Sequence, residues 1–332
     1  MTAAQETTAG VSYVATFWVR VFSWSMLTVL AVFLINNYLA VTQDWPGIAP
    51  VFQPGKAGAL AWIQVVAYIA GFAATVIYVQ STRSQTLRAD STMISDANTF
   101  LIRAFFWAVL LIGFADMVVS FLRVEGLLAG VVGEDLTKKL GRQQFRGSYL
   151  HLPLLGVALV TAAFTRTLGF IWLSLLIVVA ELAIVITRFV FSYEQAFMGD
   201  LVRFWYGALF LFASAYTLLQ EGHVRVDIFY TNFTARKKGL VNAFGSILLG
   251  LSFSWTILLV GMKGKTSMIN MPMATFEVSQ SGYGLYVKYW MAGFLAIFAI
   301  TMAIQFVSYF LDAVADCREE PGKRLPKAPS AH

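Results

Sequence analysis

Long apolar runs recur along this chain of 332 residues and constrain its fold more than any other feature. Hydrophobic residues make up 58 % of the sequence and charged residues only 13 %, whereas soluble domains carry about a quarter charged residues. A helix that crosses the hydrocarbon core of a bilayer needs roughly 20 apolar residues. The sequence therefore predicts an all-α fold, that of a polytopic helical membrane protein.

Most of these runs are long enough to cross a bilayer, and one is marginal. The clear runs lie at 20–41, 59–79, 101–122, 169–190, 202–220, 240–262 and 288–311. The marginal run, 149–165, lies between Arg146 and Arg166 and would span roughly 25 Å at about 1.5 Å per residue. We expect both arginines to snorkel and a tight turn, "TRTLG", to follow at 165–169. The prediction is therefore eight transmembrane helices, with seven as the alternative.

The distribution of basic residues bears on the topology. The seven-span alternative would place more of the Lys and Arg residues in the cytoplasm, as the positive-inside rule favours. Both alternatives place the basic loop 221–239 and the C-terminus in the cytoplasm. The tail 313–332 is charged and contains proline, so we expect it to be disordered. The net charge of +6 is spread over loops, which suits anionic lipid head groups and does not indicate nucleic-acid binding.

Residues that could support catalysis or bind a metal are scarce. The single cysteine, Cys317, excludes an internal disulfide framework and a cysteine cluster. His151 and His223 lie at the ends of different segments, so the paired histidines of a haem protein are not expected. Neither a glycine-rich phosphate loop nor metal-ligand spacing occurs. We expect no catalytic residue, no cofactor and no metal site.

Two acidic residues lie inside predicted spans, Asp116 in "GFADMVVSF" and Glu181 in "VVAELAIVI". Each carboxyl group could bond a neighbouring Ser, Thr, Trp or Arg and join helices, or it could bind a coupling ion or a proton. A stand-alone secondary transporter would need one of them in its substrate pathway. The apolar segments lack the matched Gly- or Pro-interrupted pairs that mark such pathways, which favours an accessory role.

The stretch "EGHVRVDIFY" (221–230) follows a long run without charges and alternates polar with apolar residues. It is too apolar for a free loop and too charged for lipid, so it predicts an ordered turn or a contact with a partner. We expect His223, Arg225 and Asp227 to form a cytoplasmic cap in which Asp227 accepts hydrogen bonds. Replacing His223 or Asp227 by alanine should lower the amount of assembled protein and leave turnover nearly normal.

This stretch resembles the His-x-x-Val-Asp turn of the Q protein, the small membrane subunit of tripartite ATP-independent periplasmic (TRAP) transporters. The segment upstream, "RFVFSYEQAFMGDLVRFWYGALFLFASAYTLLQ" (188–220), extends the resemblance. Arg188, Asp200 and Arg203 match the charged positions of that family around a short periplasmic loop. Phe197 stands where the family often has tryptophan, and Gly199 replaces the first acid of a pair. Asp200 could pair with Arg188 or Arg203 and fix the register of the two helices, or each charge could snorkel to the interface separately.

The resemblance implies a non-catalytic scaffold subunit in the bacterial inner membrane. Its partners would be membrane lipids, a large permease subunit that moves an organic acid with sodium, and a periplasmic binding protein that delivers the acid. The family's four-helix unit would correspond to residues 169–312, preceded by extra helices in 1–168 and followed by the tail 313–332. A heterodimer with the permease subunit is therefore expected.

Overall fold

The computed structural model describes residues 3–166, 170–193, 195–220, 228–278 and 284–322. Within these ranges the chain is helical and contains no β-strand. Its α-helices are α1 (Ala3–Thr42), α2 (Ala59–Ser81), α3 (Leu87–Val124), α4 (Leu128–Val132), α5 (Glu134–Leu140), α6 (Gln143–Arg146), α7 (Leu152–Phe164), α8 (Phe170–Val190), α9 (Ala196–Leu219), α10 (Ala235–Gly245), α11 (Ser252–Gly261), α12 (Asn270–Thr275) and α13 (Lys288–Cys317).

Eight helical segments of the described chain are long and apolar enough to cross a membrane. Two of them are composite, because a π-helical turn, Gly147–His151 or Ser246–Leu251, joins two α-helices without a break. The spans are Thr16–Thr42, Ala59–Ser81, Leu87–Val124, Gln143–Phe164, Phe170–Val190, Phe197–Leu219, Ala235–Gly261 and Lys288–Cys317. The prediction of a polytopic all-α membrane protein with eight spans is confirmed.

The marginal apolar run is part of a longer span than the sequence predicted. It extends back through α6 to Gln143, so snorkelling is not needed to give it sufficient length. The expectation that Arg146 snorkels was wrong, because its side chain is fully buried, whereas Arg166 is exposed. The predicted turn at 165–169 lies partly outside the described residues. Pro153 is the second residue of α7 and directly follows the π-helical turn Gly147–His151, within this continuous span.

The helices α3 and α13 also run well beyond the apolar segments that predicted them. Helix α3 begins at Leu87, although the apolar run begins near residue 101, and α13 continues to Cys317. The added turns carry serine, asparagine and aspartate, which lower the apolar character of the sequence but bond to other helices. Hydropathy alone therefore underestimated both helices.

The chain divides into two compact units, each built from segments distant in sequence. The first comprises Met1–Asn98, Thr217–Leu259 and Met302–His332. Its described interior combines apolar side chains with buried polar groups, among them Arg20 and Asp90. Two edge-to-face aromatic pairs, Phe22 with Phe310 and Phe33 with Trp255, pack α1 against α13 and α11.

The second unit comprises Thr99–Tyr216 and Val260–Thr301. Its core contains a cluster of phenylalanines in which the Phe294 ring lies 5.1 Å from that of Phe204 and 5.0 Å from that of Phe212. All three side chains are almost completely buried. These rings hold α9 against α13, and the same unit contains the main buried charge cluster of the described chain.

Candidate functional site

Asp116 lies near the middle of the second half of α3 and is fully buried. Its Oδ1 atom accepts a hydrogen bond of 2.9 Å from Nη1 of Arg146, whose side chain is also fully buried. Asp116 lies in the interior of one span, and Arg146, thirty positions later in the sequence, lies near the start of another. The pair therefore neutralises both charges inside the second unit, where an isolated charge would be very costly.

The rest of the Arg146 guanidinium is held by backbone and aromatic groups. Its Nε atom donates to the carbonyl oxygen of Leu140 over 3.0 Å, and Nη1 also donates to Oγ of Ser120 over 3.2 Å. The guanidinium carbon lies 4.0 Å from the ring centre of Tyr286, a cation–π contact. Nη2 is buried without a hydrogen-bond partner among the described residues, so the ring face is its main neighbour.

His151 is a second partner of Asp116 and lies at the end of the π-helical turn Gly147–His151. Its Nε2 atom lies 3.2 Å from Oδ1 of Asp116, and its Nδ1 atom lies 2.8 Å from the hydroxyl oxygen of Tyr289. If Nε2 carries the proton, a neutral imidazole satisfies both contacts, since Nδ1 then accepts from the Tyr289 hydroxyl. The turn is packed closely, because a Cβ atom on Gly147 would overlap the ring of Phe276.

The second carboxylate oxygen of Asp116 fixes the backbone just before α13. Oδ2 accepts a hydrogen bond of 2.7 Å from the N–H of Tyr286, two residues before the helix begins at Lys288. Asp116 thus joins α3, α6, the π-helical turn and the approach to α13. Asp116, Arg146 and His151 are all fully buried, so this cluster offers no surface to a substrate and acts as a structural junction.

Glu181, the other intramembrane acid, has quite different surroundings. It lies in α8 on an exposed part of the helix surface. Its carboxylate has no hydrogen-bond or ion-pair partner within the described part of the chain. The inward stripe of α8 consists instead of Leu173, Ile177 and Ala180. The two acids that the sequence analysis grouped together therefore differ in role.

Of the three charged residues around the short loop, the structure brings two together. Oδ1 of Asp200 lies 3.6 Å from Nη1 of Arg203, one turn later in α9, and Arg203 is 76 % exposed. Because Arg203 is mostly exposed, this pair within one helix contributes little to stability and does not join two helices. Arg188 is exposed in the last turn of α8. The proposed role of Asp200 in setting helix register remains a prediction.

Asp200 and Arg203 also line an open cleft of about 450 Å³ together with Glu277 and Lys288. Nζ of Lys288 bonds Oε1 of Glu277 over 2.5 Å, while Oδ2 of Asp200 is buried without a partner in the described chain. Near the other side of the short loop, the hydroxyl of Tyr193 donates to Glu125, and this bond raises the pKa of the Tyr193 hydroxyl. The bond holds the loop to the end of α3.

The predicted cap cannot be located, because His223, Arg225 and Asp227 lie outside the described residues. Its role stays a prediction. Among the residues that the structure does describe, no group of three His, Cys, Asp or Glu side chains could hold a metal ion.

Sequence reasoning missed a second buried ion pair, in the first unit. Nε of Arg20 in α1 bonds Oδ2 of Asp90 in α3 over 2.6 Å, and both side chains are almost fully buried. The arginine also donates to the carbonyl and hydroxyl oxygens of Thr82, and Nε1 of Trp24 donates to Asp90 over 3.2 Å. A lone arginine at the edge of an apolar run was the available signal, but its partner is seventy positions away.

A polar seam between α3 and α13, also in the first unit, was likewise missed. Oγ of Ser91 and Oγ of Ser95 lie 2.9 Å and 2.6 Å from Oγ of Ser308. One turn further, Nδ2 of Asn98 donates to Oε1 of Gln305 over 3.1 Å. Residues 91, 95 and 98 recur at helical spacing, a signal that could have revealed the helix before residue 101.

Part of the chain matches the model of a known protein family. Residues 175–316 fit the family model described as "Tripartite ATP-independent periplasmic transporters, DctQ component". The match covers most of α8, all of α9–α12 and all but the last residue of α13. No curated protein and no solved structure matches the chain. Residues 175–316 are therefore similar to the DctQ family, and the helices before them lie outside the match.

Proposed function

We propose that this chain, which carries a DctQ domain over residues 175–316, is the small membrane subunit of a TRAP transporter. The observation that carries this proposal is the family match across four consecutive spans, with the His-x-x-Val-Asp sequence at 223–227 inside it. The family is one of transporter components, and eight apolar helices make the chain a multi-pass membrane protein.

Its role in the transporter is that of a non-catalytic scaffold. The buried charges of the described chain support this role, because the Asp116 carboxylate is already in hydrogen-bond contact with Arg146, His151 and the N–H of Tyr286. A carboxylate held by three donors joins segments, and the full burial of Asp116 separates it from a passing ion. The subunit would brace a large permease subunit, which carries the transport path.

The finer features of the proposal follow from the family. The transporter would import an organic acid, driven by sodium, after a periplasmic binding protein delivers the acid. The subunit would lie in a bacterial inner membrane with its C-terminus in the cytoplasm. The four-helix unit would occupy residues 169–312, and the helices in 1–168 would form an extension.

A stand-alone transporter is the alternative, and it would need Asp116 or Glu181 in its pathway. Asp116 is enclosed by its partners, and Glu181 is exposed on the outer surface of α8. Both positions are better explained in an accessory subunit than along a substrate path.

Reconstitution separates the two functions. The chain, the permease subunit and the binding protein are placed in liposomes with an inward sodium gradient, and uptake of labelled mono- and dicarboxylates is measured. We expect uptake only when all three proteins are present. Uptake by this chain alone would establish the alternative and exclude the scaffold role.

A further inference from the structure

Glu181 is the ionisable residue of α8 that lies deepest in its apolar segment. The helix runs from Phe170 to Val190, and Arg188 in its last turn is the other charged residue. With about 1.5 Å per residue, the Glu181 backbone lies roughly 17 Å from the start of the helix and roughly 14 Å from its end. A glutamate side chain is too short to reach either interface, so it must find its neighbours within the hydrocarbon layer.

The protein around Glu181 supplies no such neighbour within the described chain. The helical neighbours on its side of α8, Val178 and Val185, are 61 % and 49 % exposed, and adjacent Leu182 is 56 % exposed. The buried stripe of Leu173, Ile177 and Ala180 lies on the adjacent flank, with Ile177 one turn before Glu181, so Glu181 lies at the edge of the exposed face. Only 17 % of this span is buried in the chain, against 61 % of α13. Glu181 is thus a carboxyl group within an otherwise apolar, uncovered helix face.

An ionised carboxylate that faces lipid is unfavourable, because hydrocarbon offers neither hydrogen-bond donors nor a counter-charge. The other acid within a span, Asp116, is neutralised by such groups. Its carboxylate has an arginine at 2.9 Å and two further donors. By the same chemistry, an ionised Glu181 requires a donor that the described part of the chain does not supply. The apolar residues around Glu181 are equally compatible with lipid and with another helix. Close packing against a helix of complementary shape would therefore decide which of the two covers them.

We propose that the large permease subunit docks on this face of α8 and places an arginine or lysine side chain against Glu181. The inference rests on the proposed function, because it names the surface and the chemistry through which the scaffold would hold its partner. The occupant is a transmembrane helix that is apolar except for one cation at the depth of Glu181. Val178, Leu182 and Val185 would pack around the resulting ion pair.

Co-purification tests the charge. The chain carries an affinity tag and is co-expressed with the permease subunit, and the permease recovered per chain is compared among Glu181→Ala, Glu181→Gln and wild type. Removing one partner of a buried charge pair should reduce recovery at least about tenfold in Glu181→Ala, with Glu181→Gln intermediate. Glu134→Gln, which neutralises an exposed acid in α5 outside the spans, is the matched control and should equal wild type.

Photo-crosslinking tests the face independently of the charge. A photoreactive residue at Val178 should capture the permease subunit, whereas one at Val160 in α7, which is similarly exposed at 59 %, should not. Gel filtration of each tagged chain in detergent shows whether it is folded. If Glu181→Ala is not folded, the comparison uses Glu181→Gln and the Val178 crosslink.

The outcomes separate the inference from the function. If wild type recovers no permease subunit, the proposed function fails. If wild type recovers it, but Glu181 variants recover equal amounts and Val178 gives no crosslink to it, the docking surface is wrong and the function stands. A crosslink from Val178 to a second copy of this chain, or to lipid alone, would also overturn the inference.

Discussion

Asp116 and Glu181 show that acidic residues in similar apolar stretches of sequence can meet opposite surroundings. Both are single acids in apolar spans, yet Asp116 is fully buried among donors and Glu181 is exposed. The Asp116–Arg146 pair is bonded well enough to avoid the cost of isolated buried charges. Its contribution is clearest when only one partner is removed, because the other then becomes an uncompensated charge.

We therefore predict that Asp116→Asn or Arg146→Met alone destabilises the protein by about 3–5 kcal/mol. The double variant should lose less than the sum of the single losses, because no charge is left without a partner. The measurement is thermal unfolding in detergent, followed by gel filtration with fluorescence detection.

Lys138→Met is the control for the arginine, since Lys138 is an exposed cation in α5. It should unfold at the wild-type temperature. If the losses from Asp116→Asn and Arg146→Met were additive, the two side chains would not be coupled, and the structural junction would have to be abandoned.

At the scale of elements, α3 and α13 are joined by small polar side chains in the first unit. Ser308 is 1 % exposed and bonds both Ser91 and Ser95, and Arg88 at the start of α3 bonds Asp316 over 2.8 Å. Serine is short, so two such helices can approach closely while their hydroxyl groups remain satisfied. The polar start of α3 is thus a packing surface.

Ser308→Leu should consequently destabilise the protein by about 1–3 kcal/mol, because the larger side chain has no space between the helices. The measurement is the same thermal unfolding assay. Ser252→Leu, at an exposed position of α11, is the matched control and should have little effect. Equal stability of Ser308→Leu and wild type would mean that the seam is not closely packed.

At the scale of the molecule, the helices before the DctQ domain are bonded to it within each unit. In the second unit, Asp116 accepts from the N–H of Tyr286, and in the first unit, Ser91 bonds Ser308. Tyr286 and Ser308 belong to the matched segment, whereas their partners precede it. The extension and the DctQ domain are therefore expected to depend on each other for folding.

Dividing the chain tests this dependence. Residues 169–332 expressed alone should give several-fold less monodisperse protein than the whole chain, because Tyr286 and Ser308 lose their partners. Co-expression of residues 1–168 as a separate piece should restore the yield, and the pieces should co-purify. Full yield of residues 169–332 alone would show that the four-helix unit folds independently.

The elements of this fold were largely predictable from the sequence, while their ends were not. Apolar runs predicted all eight spans, since the bilayer demands a long apolar helix whatever its neighbours are. The run at 101–122 placed the start of α3 too late, because Ser91, Ser95 and Asn98 resemble a loop in isolation. In the structure they bond Ser308 and Gln305 on another helix, which makes polar residues compatible with a long helix.

The sequence by itself determined the eight apolar spans and the resemblance of the C-terminal part to the DctQ family, because each depends on local composition or on a short ordered motif. Only the tertiary structure decided which charges are neutralised. Asp116 meets Arg146 across thirty positions, and Arg20 meets Asp90 across seventy. Such pairs depend on which helices become neighbours, and that choice results from packing along whole helix surfaces, which no local stretch of sequence records.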